Sequence, residues 1–374
     1  MDALTRDRRR EIRALLVLDQ LPGVGPRRLR RGVERVGSGV AALALPDEGF
    51  QALFGTAAAA GRNDPAVGRR VDTGLRTAEE AGVVCLHWGD PAYPARLHNL
   101  ADPPAVLFLR GDPALLASPG VAVVGARRAT ARARDVSRRL GAALAARGTT
   151  VVSGLALGVD GAAHRGALDV GGPTVAVVAT GAEAAYPRSH RRLCEGIARH
   201  GLVVSEFLPD TPALPHHFPR RNRILAALAH TVVVVEAGAR SGSLITVDHA
   251  LDLGLDVWAV PGPIDQAGCS GSNALLTDGA RPLVSVESFA ARVAPGTCPE
   301  LRAPGTSDGS GSSEVSGGAD GGRVLAVLGS EALPTDEVSR RAGLPIARTL
   351  VALSALEMGG RVERRPGARF RRAG

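Results

Sequence analysis

The sequence predicts an α/β protein: a Rossmann-like, doubly wound and mostly parallel sheet, with a helical N-terminal domain and a small C-terminal winged-helix domain. Between residues 120 and 260, apolar runs alternate with helical patterns. Strands that are apolar on both faces belong to parallel sheets that carry helices on both sides. The N-terminal residues follow a helical pattern, and residues 323–374 combine three helical segments with a basic two-strand ribbon.

The N-terminal domain is predicted to span residues 1–80. Its most specific feature is the segment LPGVGPRRLRRGVERVG, in which a turn built on Gly23 and Gly25 separates two helical patterns, and Arg27 and Arg28 open the second. This segment resembles a helix-hairpin-helix, whose turn amides and following basic residues hold a DNA backbone. These four residues are therefore a candidate secondary DNA-binding site. An ordinary turn between two helices fits them as well.

The Rossmann-like domain is predicted to span residues 85–292. Its predicted strands are the apolar runs GVAVV, TTVVS, PTVAVV, GLVVS, HTVVVV and LDVWAV, which begin at residues 120, 149, 173, 201, 230 and 255. Helical segments or loops separate these runs, so we expect neighbouring strands to be parallel. The carboxyl ends of parallel strands share one edge of a sheet, and ligands bind there.

The C-terminal part is predicted to contain a linker and a winged helix. Residues 295–322 are rich in Pro, Gly and Ser, which predicts a flexible linker. Residues 323–374 follow as the winged-helix domain, whose third helix is expected from Pro345 to Met358. In DNA-binding winged helices this helix enters a major groove. The apolar Leu350 on that helix favours contact with a protein as the alternative.

The composition excludes several classes of protein. The sequence has no run of eighteen apolar residues and no signal-peptide pattern, so we expect a cytoplasmic protein without a membrane span. Its four cysteines, Cys85, Cys194, Cys269 and Cys298, form neither a CxxC pair nor a metal-ligand spacing. We therefore expect reduced thiols and no metal site.

The net charge of +8 lies at the two ends of the chain. Residues 1–40 and residues 323–374 each hold ten arginines against five acidic residues. A basic surplus is typical of proteins with a polyanionic partner, most simply nucleic acid. A globular protein with a high pI and no such partner fits the charge equally well.

The loops after the predicted strands contain the candidate site. Their glycines allow close approach of a ligand, and helix N-termini direct free amides at an anion. Several separate loops with arginines suit a polyphosphate better than an isolated phosphate. The first loop, GARRAT, lacks the glycines of a dinucleotide fingerprint, and no Walker A loop occurs, so no cofactor is predicted. The candidate DNA-binding residues are Gly125, Arg127, Ser153, Gly154, Phe218, Arg220, Arg221, Asn222, Arg223, Arg240, Ser241, Gly242 and Ser243.

Two of these candidates have a structural alternative. Phe218 is either a platform on which a base stacks or a plug in the core. Arg223 is either a phosphate contact or one half of an ion pair with Glu206 or Glu236. No Ser/His/Asp set or metal-ligand set accompanies these residues in the sequence, so no catalytic site is predicted.

A set of motifs resembles the DNA-processing protein A family (DprA, also called Smf). The motifs are SGLALGVDGAAH, the pair at Tyr186 and Pro187, SEF, FPRRNRI, VVVVEAGARSGSLIT and AVPG, which occur in the family's order within residues 85–285. The resemblance implies a non-enzymatic protein that binds single-stranded DNA, protects DNA entering the cell in natural transformation and loads the recombinase RecA onto it. It also implies a homodimer formed through the Rossmann-like domain.

The chain departs from the family pattern at a few positions, among them Leu157, Glu183 and Ala227. Leu157 stands where many members have a basic residue, which removes one expected phosphate contact. Two other functions stay open. One is a nucleotide-monophosphate-processing enzyme of the phosphoribohydrolase type, although EAGARSGSLIT lacks the paired glycines of its PGGxGT loop. The other is a regulator that binds double-stranded DNA through the winged helix.

Overall fold

The computed structural model of the chain describes residues 3–117, 120–294, 318–329, 332–358, 360–365 and 369–372. It divides into two compact units, Met1–Glu300 and Leu301–Gly374. Among the described residues, no helix has both the length and the apolar character needed to cross a membrane. Cys85, Cys194 and Cys269 are free thiols, and Cys298 lies outside the described residues.

The first unit begins with a group of short helices. Pro26 and Pro65 stand at the first positions of the second and sixth helices, where the missing proline N–H costs no hydrogen bond. Phe50 and Phe54 are fully buried between the helices, with ring centroids 4.7 Å apart. The helices are α1 (Ala3–Asp19), α2 (Pro26–Val36), α3 (Gly39–Leu43), α4 (Asp47–Phe54), α5 (Thr56–Gly61) and α6 (Pro65–Glu80).

The sheet of this unit contains, among the described residues, the strands β1 (Val84–His87), β2 (Val106–Gly111), β3 (Gly120–Val124), β4 (Val151–Ser153), β5 (Thr174–Val177), β6 (Leu202–Ser205), β7 (Ala229–Val234), β8 (Asp256–Ala259) and β9 (Arg281–Pro282). Their order is β1-β2-β6-β5-β4-β3-β7-β8-β9. From β6 to β9 all neighbours are parallel, which confirms the predicted Rossmann-like sheet. The six predicted strands are β3 to β8.

Three strands were not predicted. β1 and β2 are antiparallel to each other, and β2 is antiparallel to β6, so they extend one edge of the sheet. β9 is a two-residue strand at the other edge. An antiparallel edge on an otherwise parallel sheet is common in α/β folds.

Helices cover the sheet and define a crevice. They are α7 (Ala131–Ala145), α8 (Val159–Asp169), α9 (Arg191–His200), α10 (His217–Ala227), α11 (Leu244–Asp252), α12 (Ser270–Thr277) and α13 (Val286–Arg292). From β3 the chain moves outward through β4, β5 and β6, and then returns to place β7 on the other side of β3. The order reverses between β3 and β7, so a crevice opens at the carboxyl ends of these two strands.

The N-terminal helices share a hydrophobic core with the sheet. Leu15 of α1 and Phe54 of α4 belong to the same buried cluster as Phe108 of β2 and Val203 of β6. Each such side chain contributes roughly 1.5–3 kcal/mol when it is fully buried. This shared core places the helices against the edge of the sheet formed by β2 and β6.

The second unit has the elements of a winged helix, as predicted. They are α14 (Gly318–Val327), β10 (Leu333–Pro334), α15 (Thr335–Ala342), α16 (Ile346–Met358), β11 (Val362–Arg365) and β12 (Arg369–Arg372), with the strand order β10-β12-β11. Val338, Leu353 and Phe370 lie in its core. Residues 295–317 of the predicted linker lie outside the described residues, and residues 318–322 belong to α14.

The third helix of the winged helix, α16, exposes apolar side chains. Ile346 is 54% exposed and Leu350 is 47% exposed, whereas Leu353 and Leu356 face the core. A helix that reads bases in a major groove presents polar side chains there. The exposed pair keeps protein contact open as the alternative role of this helix.

Candidate nucleic-acid interface

A cleft of about 440 Å³ opens at the carboxyl ends of β3 and β7. Its walls are the loop after β3, the first turns of α10 and the loop between β7 and α11. The predicted site residues that line it are Gly125, Arg127, Phe218, Arg221, Asn222, Ser241, Gly242 and Ser243. The sequence therefore predicted the location of the cleft, because it identified the strands whose carboxyl ends meet there.

Arg127, Phe218 and Tyr186 form a cluster at the cleft, in which the two aromatic rings are tilted by 54°. The Arg127 guanidinium carbon lies 4.5 Å from the centroid of the Phe218 ring. The Tyr186 ring lies 5.6 Å from that of Phe218, and Tyr186 is 46% exposed. Phe218 is thus a partly exposed wall of the cleft instead of a plug in the core. Tyr186 was not among the predicted site residues, although the Tyr-Pro pair in the sequence pointed to it.

Arg221 lines the cleft, and its side chain makes hydrogen bonds within the protein. It is 4% exposed, and its Nη1 donates to the carbonyl oxygens of Gly154, at 2.7 Å, and Val177. Burial lowers the pKa of Arg221 to about 10, so the side chain stays charged at neutral pH. It ties α10 to the ends of β4 and β5. Its Nη1 and Nε donate within the protein, so Arg221 holds these segments together, and a phosphate contact of Arg221 stays a prediction.

Gly154 and Ser153 are buried beneath the cleft, at the end of β4. A Cβ atom on Gly154 would lie 2.4 Å from the Arg221 guanidinium, so only glycine fits this close approach. Ser153 is fully buried, and its hydroxyl donates to the carbonyl oxygen of Val123 at 2.6 Å. Neither residue lines the cleft, so their predicted role in contacting DNA is corrected to a supporting one.

Asp160 lies beside Gly154 and also lines the cleft. Its Oδ2 accepts the backbone N–H of Gly154 at 3.0 Å. Burial raises the pKa of Asp160, and the nearby Arg221 opposes this shift. The carboxyl group lies in the first turn of α8, where a negative charge interacts favourably with the positive end of the helix dipole. These contacts account for the position of Asp160 without a catalytic role.

Arg220 and Arg223 lie outside the cleft, which corrects their predicted place in it. The side chain of Arg223 is 3% exposed; its Nη2 donates to Glu206 Oε2 at 2.6 Å, and its Nε lies 3.3 Å from Asp102 Oδ2. Arg220 Nε lies 3.1 Å from the same Glu206 oxygen, and its Nη2 lies 3.6 Å from Asp19 Oδ1. Glu206 is thus shared by two arginines of α10.

The buried charge of Glu206 connects three parts of the first unit. Burial raises the pKa of Glu206, and Arg223 and Arg220 act in the opposite direction. Asp19 ends α1, and Asp102 precedes β2. The two arginines therefore join α10 to the N-terminal helices and to the edge of the sheet. Of the two structural partners considered for Arg223, the structure selects Glu206.

Glu236, the other ion-pair partner considered for Arg223, lies in the loop after β7. Its carboxylate accepts the backbone N–H of Thr130 at 3.0 Å and the Thr130 hydroxyl at 2.6 Å. Thr130 itself caps α7. This arrangement joins the loops after β3 and β7, which are the two sides of the crevice.

Hydrogen bonds also hold the loop between β7 and α11 against α10. Asn222 Nδ2 donates to the carbonyl oxygen of Gly242 at 3.2 Å, and the hydroxyl oxygens of Ser241 and Ser243 are 2.8 Å apart. Arg240 is exposed on this loop and makes no ion pair with any described residue. Arg127 and Arg240 are therefore the predicted arginines that remain available to a phosphate.

Comparison with known proteins identifies the family. Residues 84–294 match the family model of DNA recombination-mediator protein A, and residues 311–368 match that of the DprA winged helix domain. The chain belongs to the DNA recombination-mediator protein A family. This result confirms the resemblance inferred from the motifs.

Its relatives within this family cover most of the chain. It is 39% identical to Protein Smf of Escherichia coli over 284 residues, which is 75% of this chain and 76% of the relative. It is 40% identical to the putative DNA processing protein DprA of Mycobacterium tuberculosis over 283 residues, 75% of this chain and 72% of the relative.

Solved structures of the family share the fold. DNA processing protein A from Streptococcus pneumoniae is 33% identical, with a TM-score of 0.63 over 75% of this chain and 96% of that one. The Helicobacter pylori protein is 29% identical, with a TM-score of 0.52 over 57% of this chain and 97% of that one. The latter structure was described for a unique single-stranded DNA binding mode.

The three departures noted in the sequence lie in different surroundings. Leu157, in the loop before α8, is 46% exposed. Glu183 accepts the backbone N–H of Asp210 at 2.8 Å and orders the loop after β6. Ala227 is buried at the end of α10. Of the three, Leu157 is the one with an exposed apolar side chain.

The predicted secondary site lies in the turn before α2. Gly23 has a positive φ of 76°, and Gly25 precedes the first helical residue without a side-chain cap. Arg27 is exposed, whereas Arg28 donates to the carbonyl oxygen of Gly23 at 3.2 Å. Arg28 thus stabilises the turn itself, and Arg27 stays a predicted phosphate contact.

Proposed function

We propose that this protein binds single-stranded DNA in the cleft between β3 and β7, without catalysing a reaction. The observation that carries the proposal is the cluster of Arg127, Phe218 and Tyr186. A guanidinium binds phosphate oxygens with two parallel hydrogen bonds, and aromatic rings stack on bases of any sequence. The cluster offers both kinds of contact at one edge of the sheet.

The size and electrostatics of the cleft support this proposal. Its volume of about 440 Å³ falls within the range of roughly 300–1,000 Å³ that is typical of ligand sites. It lies where α/β sheets bind ligands, and exposed Arg127 and Arg240 supply positive charge. Stacking contributes about 1–3 kcal/mol for each base. A flexible strand with alternating phosphates and bases matches these contacts better than an isolated phosphate does.

The titratable groups near the cleft favour binding over catalysis. Asp160 accepts the N–H of Gly154, and Glu236 accepts the N–H and hydroxyl of Thr130. Both carboxylates are therefore used to hold loops. In the described part of the chain, no group of three or more His, Cys, Asp and Glu residues could hold a metal ion. The use of both carboxylates in loop contacts argues against the phosphoribohydrolase alternative.

The cellular role follows from family membership. We propose that the protein acts in the cytoplasm, protects DNA that enters the cell in natural transformation and loads the recombinase RecA onto it. The family includes DNA processing protein DprA of Bacillus subtilis, which is 37% identical over 216 residues. A RecA polymerisation assay on DNA coated with a single-strand-binding protein tests the loading role. If this protein does not speed RecA assembly there, the proposed loading is wrong.

We further propose that the protein is a homodimer through its Rossmann-like part. Ile264 is 98% exposed and Val284 is 83% exposed, and they follow the neighbouring strands β8 and β9. Large apolar side chains that are exposed in this way are typical of protein contacts. Sedimentation velocity distinguishes a dimer from a monomer, and a monomer at micromolar concentration would contradict this part of the proposal.

Binding to single strands is expected to weaken as salt rises. With Arg127 lining the cleft and Arg240 exposed on the loop between β7 and α11, the log–log slope of affinity against salt is expected to be about −1.4 or steeper, since each phosphate contact contributes roughly −0.7. Gel-shift titrations with single strands, duplexes and free nucleotides at two salt concentrations measure this. Single strands are expected to bind best. Salt-independent affinity, or a preference for free nucleotides, would contradict the proposed function.

The first unit is expected to fold and bind single strands without the winged helix. The two compact units are separated near residue 300, and α13 ends at Arg292. A chain that ends at Arg292 retains the whole cleft. We expect a cooperative thermal transition and single-strand affinity within about threefold of the full chain, which corresponds to roughly 0.6 kcal/mol. Insoluble or unfolded protein would show that the second unit is needed for the core.

A further inference from the structure

We infer that single-stranded DNA leaves the cleft over the loop after β6 and continues along α6, where Arg69 and Arg70 hold its phosphates. This inference rests on the proposed function, because it extends the same DNA path. The loop in question spans residues 206–216 and connects β6 to α10. α6 contacts this loop and lines a cavity together with it.

A second cavity lies between α6 and this loop. Its volume is about 250 Å³, and Arg69, Arg70 and Thr73 of α6 line it together with Pro209 and Asp210. Residues three and four apart lie on one face of a helix, so Arg69, Arg70 and Thr73 present their side chains together. The cavity therefore has two guanidiniums and a hydroxyl on one wall, which is a set of donors suited to phosphate oxygens.

Arg69 and Arg70 differ from three neighbouring arginines, each of which makes an ion pair. Arg13 pairs with Asp72 at 2.7 Å, Arg9 pairs with Glu79 at 3.1 Å, and Arg8 pairs with Asp90 at 2.8 Å.

In contrast, Arg69 and Arg70 are exposed and make no ion pair within the part of the chain that the structure describes. Asp210 is the acidic group that lines the cavity, and its Oδ2 accepts the Thr77 hydroxyl at 3.1 Å. The charge at this cavity therefore remains positive, which favours a polyanion.

Close packing fixes the loop against α6. A Cβ atom on Gly74 would lie 2.5 Å from Leu208, so the helix and the loop touch directly. Asp210 is held from both sides, by Thr77 of α6 and by the carboxylate of Glu183. The surface between the cleft and α6 is thus a defined part of the fold.

The same loop borders both cavities. Pro209 and Asp210 line the cavity at α6, whereas Ala213 and Pro215 line the cleft. The segment from Asp210 to Pro215 reaches at most about 18 Å when fully extended. A single strand of a few nucleotides spans that distance, so one continuous strand can occupy both cavities.

Beyond this cavity, α6 also borders an apolar groove of about 660 Å³ with α1 and β1. Arg6 and Arg76 stand along it, and Leu75 and Val84 form part of its surface; Val84 is 46% exposed. Unpaired bases gain from apolar surface, whereas a duplex keeps its bases stacked inside. The combination of arginines and apolar side chains favours a single strand as the occupant.

The test compares short and long single strands. In the Arg69→Gln/Arg70→Gln variant of the full chain, we expect the affinity for an oligonucleotide of about 30 nucleotides to fall roughly five- to thirtyfold. Each lost exposed contact is estimated at about 0.5–1 kcal/mol. The salt slope is expected to become shallower by about 1.4. Affinity for about 6 nucleotides is expected to stay unchanged, because a short strand fits within the cleft. Fluorescence anisotropy measures all of these.

A matched control removes the same charge elsewhere. Arg147 and Arg199 are exposed and make no ion pair with described residues; they lie at or just after the C-terminal ends of α7 and α9, opposite the cleft. The Arg147→Gln/Arg199→Gln variant is expected to bind both lengths as the parent does. Equal weakening by both variants would indicate a general charge effect and overturn the inference. An unchanged affinity of the α6 variant for long strands would overturn it too, and would leave a protein partner for α6 as the alternative.

The design separates this inference from the proposed function. If the parent binds neither length, the proposed function itself fails. If the parent binds both lengths and the α6 variant binds long strands as tightly as the parent does, the proposed function stands and the extended path fails. Equal melting temperatures of the variants and the parent are required, and an exposed pair of side chains on a helix is expected to satisfy this.

Discussion

Replacing Arg127 with alanine is expected to weaken single-strand binding roughly ten- to a hundredfold, while the melting temperature stays unchanged. The Arg127 side chain is exposed, lies over the Phe218 ring at 4.5 Å and makes no ion pair with the described residues. A charge-assisted hydrogen bond to a phosphate contributes about 1.5–3 kcal/mol, and each 1.4 kcal/mol is a tenfold change in affinity. Anisotropy titrations at physiological salt and thermal melts measure the two quantities.

A neighbouring arginine provides the control for this experiment. Arg128 is also exposed, but it does not line the cleft. The Arg128→Ala variant loses the same charge and is expected to bind within about threefold of the parent. Arg127→Lys is expected to restore only part of the affinity, because an ammonium group cannot reproduce the planar fork of a guanidinium. If Arg127→Ala binds single strands as tightly as the parent, the cleft is not the site.

Replacing Arg223 with alanine is expected to have its main effect on stability. Arg223 and Glu206 are both nearly inaccessible, with side chains 3% and 1% exposed, and their ion pair measures 2.6 Å. Removal of one partner from a buried ion pair costs about 3–5 kcal/mol, because the other charge stays buried. For a unit of this size, that loss lowers the melting temperature by roughly 10 °C. Differential scanning calorimetry measures it.

The binding of the Arg223→Ala variant distinguishes the two interpretations of this residue. A structural ion pair predicts that the folded fraction binds single strands with the affinity of the parent, measured at a temperature well below its transition. Arg220 retains its own contact with Glu206 at 3.1 Å, so we expect the folded state to persist at low temperature. A parental melting temperature together with lost binding would return Arg223 to the DNA site.

The sequence determined the sheet and the edge at which the candidate site lies. The runs that became β3 to β8 are apolar on both faces and alternate with helical segments, which is typical of a parallel sheet that carries helices on both sides. Parallel strands bring their carboxyl ends together, so the loops that carry Arg127 and Ser241 had to meet. The family motifs lie in the same loops, so the family could also be inferred from the sequence.

Only the tertiary structure decided the partners of the arginines of α10. Arg220, Arg221 and Arg223 lie within four positions of the sequence, yet two of them pair with Glu206 and one binds the carbonyl oxygens of Gly154 and Val177. Successive residues of a helix point about 100° apart, so a cluster in the sequence is divided among different surroundings in space.

The partners that divide these arginines are remote along the chain. Asp19 and Asp102 come from α1 and from the segment before β2, and the antiparallel edge formed by β1 and β2 brings them beside α10. Nothing local to α10 specifies those contacts. Tyr186 likewise reaches Phe218 only because the loops after β5 and β6 fold over the same edge of the sheet. Long-range packing, and not local sequence pattern, therefore placed each of these side chains at the cleft or in the buried network beneath it.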